Sequence, residues 1–254
     1  MISSNDPHIL YSLDAGVCII QINRPEKKNA LTHSMYKALA DGLKEADADN
    51  AVKVILLTGT QDCFTSGNDV NDFVASEERS SERPSVQFMK ALANLRKPLI
   101  AAVNGLGIGI GTTMLMHCDL VYAATDSFLQ LPFTRLGLCP EAGSSFLASQ
   151  IMGHQRAAEL LLLGERFSAC KAQEYGLVNE VLDAQSVLPH ALEKAHNLAA
   201  LPSEAVQTSK HLLKRNQSGP LEETIAIELV NFARLLQSPE AQAIVQAFLG
   251  RKRS

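Results

Sequence analysis

The stretch KPLIAAVNGLGIGIGTT, residues 97–113, joins a short apolar run to a glycine-rich turn and to the start of a second apolar segment. This order predicts a strand, a turn and a helix, the basic unit of an α/β fold. The dinucleotide-binding pattern G-x-G-x-x-G does not fit, because its third glycine would fall on Ile110 or Thr112. Either the turn offers backbone N–H groups to an anion or a developing oxyanion, or its glycines only let helix and sheet pack closely. The segment by itself favours close packing.

Strands and helices alternate on both sides of this stretch. Short apolar runs predict strands at residues 17–24, 52–59, 98–105, 120–124 and 127–131. Helical spacing of apolar residues, with Thr32 near the start, predicts a helix over residues 31–49. The pattern becomes mainly helical further on. The sequence therefore predicts an α/β core over residues 1–201 and an α-helical region over residues 202–254.

Composition narrows the function classes. The chain has 254 residues, a net charge of −4, no tryptophan and 5% aromatic residues, so nothing favours a nucleic-acid partner. No stretch reaches the ~20 apolar residues that a membrane helix needs. Five scattered cysteines without a CxxC pair are typical of a reducing compartment, and seven histidines show no pair at metal-ligand spacing. We expect a cytoplasmic protein without a metal site, a nucleic-acid partner or a membrane partner.

A second turn, FTSGNDV, spans residues 64–70 and can also present backbone amides. Ser, Gly, Asn and Asp are ordinary turn residues, so this turn alone indicates no specific function. Two such turns, each after a strand, can together supply two N–H donors to one oxygen. The residues themselves do not establish that the two turns meet in space.

One carboxylate, Glu141, lies in LPFTRLGLCPEAGSSF, residues 131–146, among mainly apolar and small residues. Apolar neighbours such as Leu136, Leu138 and Phe146 can desolvate it and raise its basicity. A glutamate in a turn is more often structural or solvated, so the segment alone leaves the role of Glu141 open.

Five segments resemble, in order and spacing, the crotonase or enoyl-CoA hydratase/isomerase superfamily. They are residues 24–31 (RPEKKNAL), 64–70 (FTSGNDV), 97–105 (KPLIAAVNG) with the glycine-rich turn, 118–124 (CDLVYAA) and 131–145 (LPFTRLGLCPEAGSS). The resemblance implies a spiral of ββα repeats with an α-helical C-terminal trimerisation region, and places the active site and CoA site within residues 1–201. It also implies an acyl-CoA thioester substrate, with coenzyme A part of that substrate rather than a separate cofactor, and a homotrimer or a hexamer built as a dimer of trimers.

The resemblance also implies functional residues. It implies that the two turns meet and that the backbone amides of Asn68 and Ile110 hold the thioester oxygen. The residues implied in substrate or CoA binding are Lys28, Ala30, Ser66, Asn68, Asp69 and Phe133. Because CoA is polyanionic, basic residues are expected at the mouth of its site, and the candidates are Arg24, Lys27 and Lys28. The basic end over residues 251–253 either reaches a neighbouring subunit's ligand or is solvated.

Departures from the family pattern narrow the reaction. Hydratases of this family carry two glutamates whose places are Thr113 and Phe133 here, so water addition by an acid and a base is not expected. The catalytic glutamate of peroxisomal-type delta-3, delta-2 enoyl-CoA isomerases maps onto Glu141. The resemblance therefore implies a fatty acid beta-oxidation isomerase that converts 3-enoyl-CoA to 2-trans-enoyl-CoA, with Glu141 as the single proton shuttle. The alternatives are another crotonase reaction, hydratase-like or a ring isomerisation, and a catalytically silent acyl-CoA-binding scaffold.

Other ionisable residues have more ordinary interpretations. Asp69 is either a second acid or a turn residue that hydrogen-bonds the backbone. His117 lies in an apolar segment and is interpreted as a packing residue, and Asp119 as a brace for the following strand. The floor of the acyl pocket is expected from residues 74–89 and from the C-terminal helices.

Overall fold

Two β-sheets organise the chain in a computed structural model that describes residues 4–69 and 83–251. Numbered along the chain, their strands are β1 (Ile9–Asp14), β2 (Val17–Ile22), β3 (Val54–Thr58), β4 (Leu99–Val103), β5 (Leu106–Ile108), β6 (Leu120–Ala124), β7 (Phe128–Gln130), β8 (Arg166–Ser168) and β9 (Glu180–Leu182). The larger sheet has the order β1-β2-β3-β4-β6-β9, in which β1 is antiparallel to β2 and the remaining pairs are parallel. The smaller sheet has the order β5-β7-β8 and places β5 parallel to β7.

Helices pack around the larger sheet and form the C-terminal region. They are α1 (His33–Ala48), α2 (Pro84–Ala93), α3 (Ile110–Thr113), α4 (Ser144–Met152), α5 (His154–Leu163), α6 (Ala169–Glu174), α7 (Ala184–Ala199), α8 (Ser203–Lys214), α9 (Ser218–Leu236) and α10 (Pro239–Arg251). The Thr32 hydroxyl accepts from the Met35 N–H at 3.3 Å and so caps α1, which explains why α1 begins where it does.

Burial on both faces explains the apolar strands of the larger sheet. In β3, Val54 and Leu56 belong to the core that includes α7, whereas Ile55 and Leu57 belong to the core that includes α1. Because alternate side chains enter two different cores, β3 has no polar face, which is the pattern of a buried parallel strand.

The α/β class with an α-helical C-terminal region is confirmed, but some local predictions differ from the structure. The apolar helix predicted after the glycine-rich turn is the four-residue α3 followed by a 3-10 turn over Met114–His117, because the chain must turn into β6 soon afterwards. The sequence does not predict β1, β5 or β8. The first is an edge strand with the partly exposed side chains of Leu10 and Leu13, and the other two have only three residues each.

Candidate active site

The turn at residues 64–69 and the glycine-rich turn at residues 105–111 lie side by side. The Thr65 N–H donates to the Leu106 carbonyl at 2.9 Å, and the Ile108 N–H donates to the Thr65 carbonyl at 3.1 Å. These bonds form a short parallel bridge between Thr65 and Gly107. The two turns are therefore in backbone contact, as the resemblance implies.

Close approach of the two turns requires glycine at particular positions. A Cβ atom on Gly67, whose φ is +87°, would lie 2.7 Å from the Ile108 carbonyl oxygen. A Cβ atom on Gly111 would lie 2.7 Å from the Thr65 Cγ2 atom. Both distances are shorter than real carbon contacts allow, so a side chain at either position would push the turns apart. Close packing, which the glycine-rich segment alone favours, is thus one reason for its glycines.

Each turn leaves one notable backbone donor without a protein acceptor. Among residues 4–69 and 83–251, no acceptor takes the amide proton of Asn68 or of Ile110. The neighbouring amides are used, since Gly67 donates to the Thr65 hydroxyl at 3.1 Å and Asp69 donates to the Leu31 carbonyl at 2.9 Å. Ile110 begins α3, and the first amides of a helix have no partner within it. Both amides named from the resemblance are therefore without an acceptor in the described residues; Asn68 lines the pocket described next, whereas Ile110 is buried and does not belong to its lining.

A pocket lies against the first of these turns, between α1, α2 and α9. Its apolar wall is formed mainly by Leu31, Val86, Met89, Leu229, Phe232 and Leu236. Its polar lining includes Tyr36, Asn68, Asp69, Arg83 and Glu141. The expected floor, residues 74–89, is represented by lining residues from Arg83 onward and by α9, whereas residues 70–82 lie outside the described residues. The pocket thus brings Asn68, Asp69 and Glu141 together.

Glu141 is a buried carboxyl group whose environment disfavours its charge. Glu141 is 5% exposed, and no donor within the described part of the chain reaches its Oε1 atom. Burial, and after it the charge of the nearby Glu228 carboxylate, together raise the pKa of Glu141 to about 8, although a hydrogen bond from the Thr113 hydroxyl partly opposes the rise. An acid in this state can take up and release a proton near neutral pH.

The turn that carries Glu141 has an unusual backbone. Ala142 and Gly143 both have left-handed conformations, with φ values of +57° and +72°. The conformation is costly for Ala142, which has a Cβ atom, and surrounding contacts must stabilise it. One of them comes from His117, whose Nε2 atom lies 2.8 Å from the Ala142 carbonyl oxygen. Burial lowers the pKa of His117 to about 4, so the neutral ring carries its proton on Nε2 and donates it to Ala142.

A second contact to this turn comes from Glu228 on α9, which the sequence analysis does not identify. Its Oε2 atom accepts from the Gly143 N–H at 2.6 Å, and its Oε1 atom accepts from the Ser145 N–H at 2.9 Å and the Ser145 hydroxyl at 2.6 Å. The sequence contains one signal for this contact: Leu221, Ile225 and Glu228 are spaced so that they share one face of a helix. The structure shows that all three are buried on α9. A carboxylate on an otherwise apolar buried face requires partners.

Arg24 and Asp69 form an ion pair beneath the first turn. The Arg24 Nη1 atom lies 2.7 Å from the Asp69 Oδ2 atom and donates to the Ala30 carbonyl at 2.9 Å. Both side chains are largely buried. Arg24, expected at the mouth of a CoA site, therefore stabilises the turn that carries Asn68. The Asn68 side chain in turn accepts a hydrogen bond from the Tyr36 hydroxyl, and burial raises the pKa of Tyr36 well above its usual value.

The remaining predicted residues lie around the same turns. Lys28 is exposed in a left-handed conformation, and its carbonyl accepts from the Ser66 N–H at 3.0 Å. Ala30 and Ser66 are partly buried, and Phe133 is buried. Within the described residues, none of these four belongs to the lining of the pocket.

Neither a metal-binding cluster nor a membrane-spanning helix occurs among the described residues. In residues 4–69 and 83–251, no group of three or more His, Cys, Asp or Glu side chains is arranged to hold a metal ion. Over the same part of the chain, no helix has the length and apolar character needed to cross a membrane.

Comparison with known proteins identifies the family. A sequence model described as enoyl-CoA hydratase/isomerase matches residues 12–254. The chain belongs to this family, the crotonase superfamily. Among its relatives, enoyl-CoA delta isomerase 2 of Rattus norvegicus is 34% identical over 250 residues, which are 96% of this chain and 64% of the rat protein. This family member thus spans less than two thirds of that relative's length.

Other relatives show how varied the family is. The 1,2-epoxyphenylacetyl-CoA isomerase of Escherichia coli (strain K12) is 32% identical over 252 residues, which are 96% of each chain. Relatives named as hydratases match this crotonase chain as well. The solved structure of Pseudomonas aeruginosa OdaA is 44% identical in sequence and has a TM-score of 0.93. The match covers 96% of this chain and 99% of the OdaA chain. These similarities confirm the fold and the family resemblance.

Proposed function

We propose that the protein is an enoyl-CoA delta isomerase that converts a 3-enoyl-CoA thioester to the 2-trans isomer. The observation that carries this proposal is Glu141, a buried acid with an unpartnered oxygen, which lines the same pocket as Asn68. The double-bond shift needs a base that removes one proton and returns it nearby, and a single carboxylate can perform both steps.

The proposed reaction proceeds in two proton transfers. The ionised Glu141 takes a proton from the α carbon of the 3-enoyl thioester, and the electron pair moves into a dienolate whose charge lies on the thioester oxygen. The amides of Asn68 and Ile110 donate to that oxygen, each contributing a few kcal/mol to the transition state. Glu141 then returns the proton to the γ carbon, the double bond forms between the α and β carbons, and no water is consumed.

The surroundings of Glu141 favour isomerisation over hydration. The two places where family hydratases carry glutamates hold Thr113, a hydroxyl group, and Phe133, a buried apolar side chain. Among the described residues, Asp69 also lines the pocket but is paired with Arg24, and the other carboxylate near Glu141 is Glu228, whose oxygens already accept from three donors. It is therefore poorly suited to activate a water molecule, which hydration requires in addition to Glu141.

The proposal includes the CoA portion and the assembly. The exposed Lys27 and Lys28 suit the phosphates of a CoA thioester, with Ala30 and Ser66 on the adjoining backbone. Coenzyme A would be part of the substrate, and no separate cofactor is proposed. We also propose a homotrimer or a dimer of trimers in the cytoplasm. Exposed apolar side chains on the C-terminal helices, among them Leu213 and Val230, are consistent with contacts between subunits.

The decisive experiment compares two reactions. The purified protein is assayed for conversion of 3-enoyl-CoA to 2-trans-enoyl-CoA and, separately, for hydration of 2-trans-enoyl-CoA. We expect isomerisation to exceed hydration by orders of magnitude. Comparable rates would contradict the assignment of a single acid. Calorimetric binding of a saturated acyl-CoA without turnover in either assay would instead indicate a silent binding protein, or an isomerase for a different thioester such as the one named for the Escherichia coli relative.

A further inference from the structure

Two buried carboxylates meet at the turn over residues 141–145, and they have opposite hydrogen-bonding states. Glu141 has an oxygen with no donor in the described part of the chain, whereas Glu228 accepts from the Gly143 N–H, the Ser145 N–H and the Ser145 hydroxyl. Glu228 is 6% exposed, and it comes from α9, 85 residues after Gly143. A distant helix thus fixes the backbone immediately after the proposed base.

We propose that Glu228 is a positioning residue for Glu141: its carboxylate holds the turn through Gly143 and Ser145, and its negative charge faces the base. The proposal rests on the isomerase function proposed above. It assigns to Glu228 an influence on both the geometry and the basicity of Glu141.

The hydrogen bonds favour an ionised Glu228. An ionised carboxylate only accepts, and its two oxygens meet two amide donors and a hydroxyl. A protonated acid or a glutamine would turn a donor toward one of these groups and lose at least one bond. These short bonds to a charged acceptor oppose the rise that burial causes in the pKa of Glu228. The three donors of the turn therefore favour a negative charge on Glu228, beside Glu141.

Of the charged groups in the described residues, Glu228 is the one that shifts the pKa of Glu141, although Arg83 and His33 line the same pocket. The ionisable side chains in the described part of the chain that line this pocket or adjoin the turn are His33, Tyr36, Asp69, Arg83, His117, Cys139 and Glu228. Asp69 is paired with Arg24, and burial keeps Tyr36 and His117 uncharged at neutral pH. After burial itself, Glu228 is the main cause that raises the pKa of Glu141, which makes Glu141 a stronger base once it is ionised.

Glu228 lies on α9, the same helix that forms part of the pocket wall. Leu229, Phe232 and Leu236 line the pocket from α9, next to Glu228. An acyl chain that packs on this wall therefore contacts the helix that holds the base. Misplacing a catalytic group by about 1 Å can cost a hundredfold in rate, so the bonds from Glu228 bear directly on turnover.

The test is the pH dependence of isomerisation in Glu228→Gln. Removing the negative charge lowers the pKa of Glu141, so the acid limb of kcat/KM should move to lower pH. The alkaline plateau should fall by about ten- to a hundredfold, because the base is weaker and less well placed. The control is Glu223→Gln, which removes a charge from an exposed position on the same helix and should leave both the midpoint and the plateau unchanged.

An unshifted midpoint in folded Glu228→Gln would overturn the proposal, because a merely structural role lowers stability without moving the titration. If Glu228→Gln does not fold, Ser145→Ala replaces it. This change removes one donor to Glu228, favours its protonation, and should give a smaller shift in the same direction; no shift would again overturn the proposal. If the wild type does not isomerise 3-enoyl-CoA, the proposed function fails separately. Infrared titration of the Glu141 carboxyl, assigned with Glu141→Gln, then decides the coupling by whether its midpoint is lower in Glu228→Gln.

Discussion

Glu141, which is buried, and Asp119, which is partly buried, are two acids with opposite hydrogen-bonding environments. The Asp119 Oδ2 atom accepts from the Leu99 N–H at 2.8 Å and lies 2.7 Å from the Lys210 Nζ atom, while its Oδ1 atom lies 3.4 Å from the Lys214 Nζ atom. Glu141 has an unpartnered oxygen and a second carboxylate nearby. A carboxylate with partners on both oxygens is held in its charged form, whereas a carboxyl group with an unpartnered oxygen can gain and lose a proton more easily.

The paired acid also supports the unpaired one. Lys214, which lies beside Asp119, donates to the His117 carbonyl at 2.8 Å, and the His117 ring donates to the Ala142 carbonyl. The turn of Glu141 is thus held by α8 through His117 on one side and by α9 through Glu228 on the other. Two helices of the C-terminal region therefore stabilise a turn whose proposed base, Glu141, comes from the core.

The largest expected effect is a loss of isomerase activity when Glu141, rather than Asp119, is changed. Glu141→Gln keeps the size of the side chain and removes its basicity, so isomerase kcat should fall by roughly 10²–10⁴-fold with little change in acyl-CoA affinity. Steady-state kinetics and calorimetric binding of a saturated acyl-CoA provide the two measurements. Near-normal turnover in this variant would remove Glu141 from the mechanism.

The next prediction concerns the pH dependence of stability, because burial makes the charged form of Glu141 unfavourable. Its folded-state pKa is about 8, above the ordinary 4.5, so protonation stabilises the fold fully below pH 4.5 and this stabilisation is lost as the pH rises through about 8. Glu141→Gln lacks this loss. Its free energy of unfolding should exceed that of the wild type increasingly over this range, by roughly 3–5 kcal/mol at the alkaline end. Urea unfolding at pH 4.5, 6.5 and 8.5 and fixed protein concentration measures the difference, and a constant difference would contradict the raised pKa.

Asp119→Asn should have the converse phenotype. It leaves the buried Lys210 without its carboxylate partner, and because Asp119 is only partly buried the loss of this pair should cost about 2–3 kcal/mol of stability. The folded fraction should still isomerise 3-enoyl-CoA at close to the normal rate, since Asp119 lies outside the pocket lining in the described residues. Urea unfolding and specific activity per folded protein test the two halves, and a large loss of kcat in a stable variant would show that the acids are not separable.

The smallest effect concerns His117, the connection between the two regions. Its pKa is lowered from 6.5 to about 4, so the stability it contributes is present above pH 6.5 and is lost as the pH falls through 4. His117→Gln can still donate to the Ala142 carbonyl but cannot gain a proton. We expect it to cost about 1 kcal/mol at pH 7.5. At pH 4.5 the lowered pKa destabilises the wild type by about 2–3 kcal/mol, so the variant should there be more stable than the wild type by about 1–2 kcal/mol. Thermal unfolding at the two values checks the sign.

The sequence predicted what depends on short segments. The strand patterns, the cap at Thr32 and the two glycine turns each lie within a few consecutive residues, and the fold class followed from them. That the turns meet, and that Glu141 lines the pocket with Asn68, came from the family resemblance, because bridges such as Thr65 to Gly107 join distant parts of the chain.

What the sequence did not predict depends on partners far along the chain. Arg24 was expected to face CoA but is paired with Asp69, 45 residues later. Glu228 was overlooked because its donors lie more than 80 residues earlier. Edge strand β1 is not predicted because four of its six residues are exposed and its apolar pattern is weak. The roles assigned to Glu141, Asn68 and Ile110 remain predictions until the variants are measured.

The contact between Glu228 and Gly143 has a consequence for the newly synthesised protein. Ribosomes add about 5–20 residues per second, so the 85 residues that separate the two positions take roughly 4–17 seconds to appear. During that interval both glycine turns and the Glu141 segment already exist, but the helix that fixes the base does not. A nascent chain that ends before α9 therefore carries the proposed base and both turns but not the helix that contacts the turn of the base, so we expect isomerase activity only in the last stage of synthesis.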